Sequence, residues 1–157
     1  MRQIVACTLA FALTFAEPAQ AADAGNSWSK LRYRGGTVQA KVDPYDFNTT
    51  LTVTQDQIVL AFTRSVTVRI RPSQVESLSY GQEAHRKVAD VVALSVIFSP
   101  LALFGLLHVA KYHLIGIVYQ TDDGKPAAVL LEAEKTNYAA ILLALKTVTG
   151  KPVEKAP

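Results

Sequence analysis

The first half of the chain alternates apolar and polar residues, as β-strands do. Between residues 66 and 71, three aliphatic side chains alternate with a threonine and two arginines. Successive side chains of a strand point to opposite faces of a sheet, so this stretch is typical of a half-buried strand. Similar runs bounded by turn residues predict strands over residues 31–42, 50–54, 58–62, 66–70 and 75–80, the first of them bent at Gly35-Gly36.

The second half predicts a hairpin and then a helix. Strands are expected over residues 113–120 and 127–134, joined by an Asp-Asp-Gly-Lys turn at residues 122–125. Thr136 is the expected N-cap of a helix that ends at Gly150. Its apolar stripe consists of Tyr138, Ile141, Leu142, Leu145 and Val148. One apolar face indicates packing on a sheet, and the polar residues 151–157 are expected to form a disordered tail.

A hydrophobic insert, residues 84–111, separates the fifth and sixth strands. Its centre, residues 91–107, reads VVALSVIFSPLALFGLL and carries no charge. At about 17 residues it lies at the lower limit for a transmembrane helix. A single span would separate strands that should share one sheet, and Pro100 is disfavoured in so short a span. Two other interpretations are therefore favoured over a single span.

In the first, the insert is a helical hairpin, divided at Ser99-Pro100, that dips into one leaflet of a membrane. The residues expected to enter the membrane are Val91, Leu94, Ile97, Phe98, Leu101, Leu103, Phe104 and Leu107. The flanking residues expected to contact anionic lipid are His85, Arg86, Lys87, His108, Lys111 and His113. In the second, the insert is a buried or oligomer-forming helical pair in a soluble protein.

Residues 1–21 have the order of charge, apolar core and small residues that signal peptidase recognises. Arg2 supplies the charge, residues 4–16 are apolar, and Ala19-Gln20-Ala21 precedes the expected cleavage site. The apolar run of about 13 residues is shorter than the ~20 that a membrane-crossing helix needs. We therefore expect a cleaved signal peptide and an exported protein, periplasmic or extracellular.

Composition limits the kinds of catalytic site, metal site and partner that the mature chain can have. Cleavage removes the only cysteine and the only methionine, which excludes disulfides, thiol catalysis and thiolate metal sites. One basic and one acidic residue leave together, so the formal net charge stays at +3. So small a charge suits an anionic surface but does not indicate nucleic acid. The expected partner is membrane lipid or an envelope protein, or a second copy of the chain.

The chain contains no motif for catalysis or phosphate binding, so no catalytic residue and no cofactor is expected. Asp122 and Asp123 precede a glycine and are expected to form a turn. The three histidines lie around the insert without a metal-ligand spacing, so no metal site is expected.

Basic residues alternate in two places along the predicted strands. Lys30, Arg32 and Arg34 share one strand face, and Arg69 and Arg71 share another. Such a stripe is more often a solvated surface than an anion site, and a solvated surface is what we expect.

Seven strands followed by one amphipathic helix is the layout of a pleckstrin-homology-like (PH-like) barrel. Residues 66–80, VTVRIRPSQVESLSY, resemble the strand, corner and strand of bacterial PH-like and GRAM-like domains. The strand led by His113, the Asp-Gly turn, the aliphatic strand and residues 138–145 are also similar to that family. The resemblance covers about residues 31–150, and it implies a binding or scaffolding module without a catalytic role.

These patterns together predict a mainly β domain over residues 28–150. It is expected to be a seven-stranded PH-like barrel, capped by a C-terminal helix, with the helical hairpin inserted between strands five and six. The expected function is that of a non-enzymatic exported binding or scaffold module held at a membrane surface by the hairpin. The alternative is a soluble secreted protein whose insert mediates self-association or partner binding.

Export leads to a direct prediction. When the full chain is produced in a bacterium, the recovered protein should begin at Ala22, because signal peptidase cuts after the small residue at position 21. N-terminal sequencing of the periplasmic fraction measures this. An uncut chain that still begins at Met1 and stays in the cytoplasm would show that residues 1–21 are not an export signal.

Overall fold

The computed structural model describes residues 26–62, 66–94 and 112–155. In these residues the protein is mainly β, as the sequence predicts. The strands are β1 (Asn26–Gly36), β2 (Thr49–Val53), β3 (Ile58–Phe62), β4 (Val66–Ile70), β5 (Val75–Tyr80), β6 (His113–Gln120), β7 (Pro126–Ala133) and β8 (Val153–Lys155). Helix α1 spans Gln82–Leu94, helix α2 spans Tyr138–Thr149, and a 3-10 turn at Pro72–Gln74 connects β4 to β5.

All eight strands belong to one sheet, in the order β4-β3-β2-β1-β7-β6-β5-β8. The hydrogen-bonded neighbours run antiparallel except β5 and β8, which are parallel, so the sheet is mixed. Strands β4 and β8 form its two edges. The expectation of a closed seven-stranded barrel is therefore wrong: the described chain forms an open sheet of eight strands.

The bounds of β3, β4, β5 and β6 agree with the prediction, and those of β2 and β7 differ from it by one residue at each end. The first strand differs more, because it ends at Gly36 and residues 37–42 leave the sheet. Gly35 and Gly36 have φ angles of 147° and 142°, which L side chains rarely adopt. A Cβ atom on Gly36 would lie 2.2 Å from the carbonyl oxygen of Ala128, so only glycine fits this close approach.

The C-terminus differs from the expectation at two places. Helix α2 is capped at Asn137 rather than Thr136, although it ends as predicted at Gly150 in the left-handed conformation. Residues 153–155 are not disordered but form β8, which pairs with β5. A salt bridge of 2.5 Å from Lys87 to Glu154 ties β8 to α1. This strand was missed because its stability depends on a partner edge that is remote in sequence.

The sheet buries side chains on both faces. Its inner face carries the larger core, built from β1 to β7 and closed by Ile141, Leu142 and Leu145 of α2. On its outer face, α1 packs Ala84, Val88 and Val92 against a second cluster, which consists of Leu114, Val118, Ala128 and Leu130. Strands β6 and β7 are covered on both sides, which explains why they are nearly continuous apolar runs.

Helix α1 forms the first part of the predicted insert and is packed on the sheet. Val91 is half-buried beside the outer cluster, whereas Leu94, the last residue of the helix, is 79% exposed. The other six predicted membrane-entering residues, from Ile97 to Leu107, lie outside the described residues, as do His108 and Lys111. The predicted hairpin therefore remains a prediction. Within the described ranges, neither helix is long and apolar enough to span a bilayer.

The contact between α1 and β6 generates a stability prediction. A Cβ atom on Gly116 would lie 2.5 Å from the Ser79 hydroxyl and 3.1 Å from Cα of Ala84. Gly116→Ala should therefore push α1 away from the sheet and lower the free energy of unfolding by about 1–3 kcal/mol. Urea denaturation measures this loss. Ala61→Val, at an exposed position of β3, is the matched control and should be nearly neutral. Equal midpoints for the two variants would contradict close packing at Gly116.

Candidate interaction surface

The connection from β1 to β2 folds back onto β1 through a set of hydrogen bonds. The backbone N–H of Asn48 donates to the Leu31 carbonyl at 3.1 Å, and the Asn48 side-chain oxygen accepts from the Tyr33 N–H at 3.0 Å. The Tyr33 hydroxyl donates to the Val38 carbonyl at 3.0 Å. Burial raises the pKa of Tyr33 above its usual range, so the hydroxyl stays protonated and remains a donor. The connection is thereby fixed at both of its ends.

Two aromatic rings of this connection are exposed: Tyr45, in a turn at residues 43–46, and Phe47, just after that turn. The Asp43 carboxylate accepts from the Tyr45 N–H at 2.9 Å, and the Asn48 side-chain amide donates to the Asp43 carbonyl. The sequence predicts this turn from its Asp-Pro-Tyr-Asp order. Tyr45 is 72% exposed and Phe47 is 48% exposed. The turn thus projects aromatic side chains that the fold does not bury.

Beneath these rings lies a charge network on the outer face of β1 and β7. Arg32 is directly opposite Glu132 in the strand register, and its Nη1 donates to Oε1 at 2.7 Å. Arg34 donates from Nε to Oε2 of Glu132 at 2.6 Å, and its Nη2 is also paired with Oε2. Arg34 is only 5% exposed and Glu132 only 7%. One buried carboxylate therefore pairs with two guanidinium groups, which leaves one formal positive charge on the trio. Among the described residues, the buried Nε of Arg32 has no hydrogen-bond partner.

Each guanidinium of the network also contacts aromatic rings. The Arg32 guanidinium carbon lies 4.2 Å from the ring centre of Phe47. The Arg34 guanidinium carbon lies 5.4 Å from the ring centre of Tyr45 and 5.3 Å from that of Tyr112. These distances are typical of cation–π interactions. We call the three rings Tyr45, Phe47 and Tyr112 the aromatic patch.

The network corrects the expectation of a solvated basic stripe. Lys30 is exposed as expected, but Arg34 is buried and Arg32 is half-buried, because both pair with Glu132. Alternation along β1 places the arginines on one face but does not reveal a carboxylate 98 residues from Arg34. The second pair, Arg69 and Arg71, is exposed as expected.

Asp122 has a structural role beyond the predicted turn. Its carboxylate accepts from Arg71 at 2.8 Å and from the Gln74 side chain at 2.9 Å. These bonds tie the turn between β6 and β7 to the 3-10 corner after β4. Both side chains of the Arg71–Asp122 pair are largely exposed, so the pair is expected to contribute little to stability.

The basic residues that were predicted to contact lipid occupy different environments. On α1, Arg86 pairs with Glu83, whose pKa it lowers, and Lys87 pairs with Glu154. His85 is half-buried on the same helix. Because His108 and Lys111 lie outside the described residues, the predicted lipid contact of this set remains a prediction.

His113 belongs instead to a ring stack at the start of β6. Its ring is stacked on Tyr138 with centroids 4.1 Å apart, and its Nδ1 lies 2.7 Å from the Tyr80 hydroxyl. Burial raises the pKa of Tyr80, and electrostatic repulsion from Tyr138 adds to that rise. No group of three potential metal ligands occurs in the part of the chain that the structure describes.

Comparison with known proteins does not assign the chain to a family. No protein-family model matches the chain, and no curated protein matches it. It is similar to a chain of the Spt16D–Pob3N heterodimer, with a TM-score of 0.48 and 8% identity, covering 84% of this chain and 54% of that chain. This chain thus spans about half the length of that relative.

A second similar structure is the 8S snRNP assembly intermediate, with a TM-score of 0.47 and 10% identity, covering 84% of this chain and 86% of that one. Because both TM-scores are below 0.5, neither likeness carries an inference about the fold or the function of this chain.

The charge network predicts a large effect of one substitution. Glu132→Gln should lower the free energy of unfolding by about 3–5 kcal/mol, because it leaves the buried Arg34 guanidinium without its counter-charge. Asp122→Asn is the matched control, since the exposed Arg71–Asp122 pair is worth less than about 1 kcal/mol. Urea denaturation of both variants measures the difference. Similar losses in the two variants would mean that Glu132 does not hold the outer face together.

Proposed function

We propose that this chain is an exported, non-enzymatic PH-like module held at a membrane surface by its apolar insert. The observation that carries the proposal is the position of α1. This helix packs its apolar stripe, which consists of Ala84, Val88 and Val92, against the outer face of the sheet. It ends at the exposed Leu94. The uncharged sequence that continues through residue 107 therefore follows a helix whose own apolar face is already occupied.

The rest of the sheet supports the same conclusion. Helix α2 covers the inner face of the sheet, and α1 covers the apolar part of β6 and β7 on the outer face. Among the described residues, both faces of β6 and β7 are thus packed against helices of the domain itself. We infer that residues 95–107 have an environment other than this sheet, and lipid hydrocarbon is the simplest one for an uncharged sequence.

The non-enzymatic part of the proposal is supported by how the charged groups are used. Glu132 is held by two arginines, and His113 is stacked on Tyr138 and bonded to the Tyr80 hydroxyl. A general acid or base must be within hydrogen-bond reach of a substrate, and these groups are engaged with other side chains of the fold. Binding and scaffolding require no such group.

The proposal predicts the partitioning of the chain that begins at Ala22. It should float with lipid vesicles and resist high-salt washing, and detergent should release it. Leu101→Asp with Leu103→Asp should abolish flotation, since each carboxylate costs up to about 3 kcal/mol in hydrocarbon. Leu143→Asp is the matched control, because Leu143 is an exposed leucine on α2 and should not affect flotation.

The opposite outcome would favour the second candidate. If the chain stays in solution without detergent, the membrane proposal fails. A defined oligomer in sedimentation, dissociated by the same two aspartates, would then favour self-association through the insert. This alternative differs from the first in covering residues 95–107 with another copy of the chain rather than with lipid.

A further inference from the structure

We infer that the aromatic patch is a second membrane-contact surface, which lies in the headgroup region of a bilayer. The inference rests on the proposed function and adds to it a contact made by the folded domain itself. The patch consists of Tyr45, Phe47 and Tyr112, none of which belongs to the uncharged segment at residues 91–107. It therefore defines which side of the sheet faces the lipid.

The three rings form one exposed cluster although they come from distant parts of the chain. Tyr45 and Tyr112 contact the same guanidinium, that of Arg34, while Phe47 contacts that of Arg32. Both guanidiniums are bound to one carboxylate, so the rings share a single platform. All three remain exposed, Tyr112 by 39%. Clustered exposed aromatic side chains on a folded domain usually mark a contact surface.

The chemistry of the patch fits the interface of a bilayer better than its hydrocarbon core. A tyrosine ring is apolar with a polar hydroxyl tip, and such side chains concentrate at the level of lipid headgroups. The platform under the rings carries one net positive charge from Arg32, Arg34 and Glu132. The exposed Asp43 and Asp46, on either side of Tyr45, offset this charge, so the contact rests on the rings rather than on a basic surface.

Chain continuity selects lipid as the occupant. The 17 residues from 95 to 111 follow Leu94 and rejoin the described chain at Tyr112. Tyr112 is thus both a patch residue and the residue that follows the insert, and neighbouring Cα atoms are about 3.8 Å apart. If the insert enters a leaflet, Tyr112 must lie where the chain leaves it. Tyr45 contacts the same Arg34 guanidinium as Tyr112, so the two rings are neighbours around one side chain.

A tryptophan reporter tests this contact. The chain contains one tryptophan, Trp28, which lines a groove beside Leu143 and Ala144 of α2. Phe47→Trp combined with Trp28→Phe moves the reporter to the patch. With vesicles of phosphatidylcholine and phosphatidylglycerol in equal parts, lipids brominated near the headgroup should quench the patch tryptophan about twofold. The native Trp28 is the matched control and should be quenched much less.

Affinity gives an independent measurement with the same vesicles. Tyr45→Ser with Phe47→Ser should weaken vesicle binding by about tenfold, because two rings no longer leave water. Leu143→Ser is the control for loss of an exposed apolar side chain and should bind as the native chain does. An unchanged urea midpoint for the double variant establishes that the fold is intact.

The outcomes separate the two proposals. Vesicles that bind the chain but leave the patch tryptophan unquenched overturn the patch and leave the insert as the anchor. Unchanged vesicle affinity of the variant with Tyr45→Ser and Phe47→Ser would also overturn the patch and leave the insert as the anchor. Failure of the native chain to bind any vesicle overturns both proposals. Quenching at the patch together with weakened binding of the double variant supports the contact.

Discussion

Strands β6 and β7 bury side chains on both faces of the sheet, and each face needs its own cover. Helix α2 supplies it on the inner face and α1 on the outer face. The outer helix approaches so closely that a Cβ atom on Gly116 would lie only 3.1 Å from Cα of Ala84. A helix between β5 and β6 is therefore required by the sheet itself, whatever the apolar residues after it do. The start of the insert is part of the domain core.

The cover of α1 does not extend to Glu132, which occupies the outer face of β7 beyond the apolar cluster. A buried carboxylate is costly unless it is paired, and two arginines of β1 pair with it. The rings of the aromatic patch then contact the guanidiniums. Thus one carboxylate holds the two guanidiniums that all three rings of the aromatic patch contact. The outer face changes along β7 from an apolar contact to a charged and aromatic one.

Local patterns were sufficient to predict much of the fold. Residues 58–62, 66–70, 75–80 and 113–120 are strands at the predicted bounds, because each has its own alternating or continuous apolar pattern. Predictions failed where the outcome depends on backbone conformation or on distant partners. The glycine pair at residues 35–36 outweighs the β-branched residues after it, and β8 exists only because β5 offers a free edge.

The candidate surface was the least predictable part, for the same reason. Alternation assigned Arg32 and Arg34 to one face correctly, but only the strand register reveals that Glu132 lies opposite them. Tyr45, Phe47 and Tyr112 carry no periodic signal, since they lie in connections. Their convergence depends on hydrogen bonds of Asn48 and on contacts with arginine that span many residues.

The pairing of Arg32 and Arg34 with Glu132 also determines whether charge or apolar burial would dominate binding to a lipid surface. A stripe of free cations would bind anionic headgroups mainly by charge. Here Glu132 neutralises one of the two guanidiniums, and the exposed Asp43 and Asp46 beside Tyr45 offset the remaining charge. Each aromatic ring that leaves water contributes up to about 1.5–3 kcal/mol. Contact through the aromatic patch would therefore depend more on apolar burial than on ionic strength, in keeping with a chain whose whole formal charge is only +3.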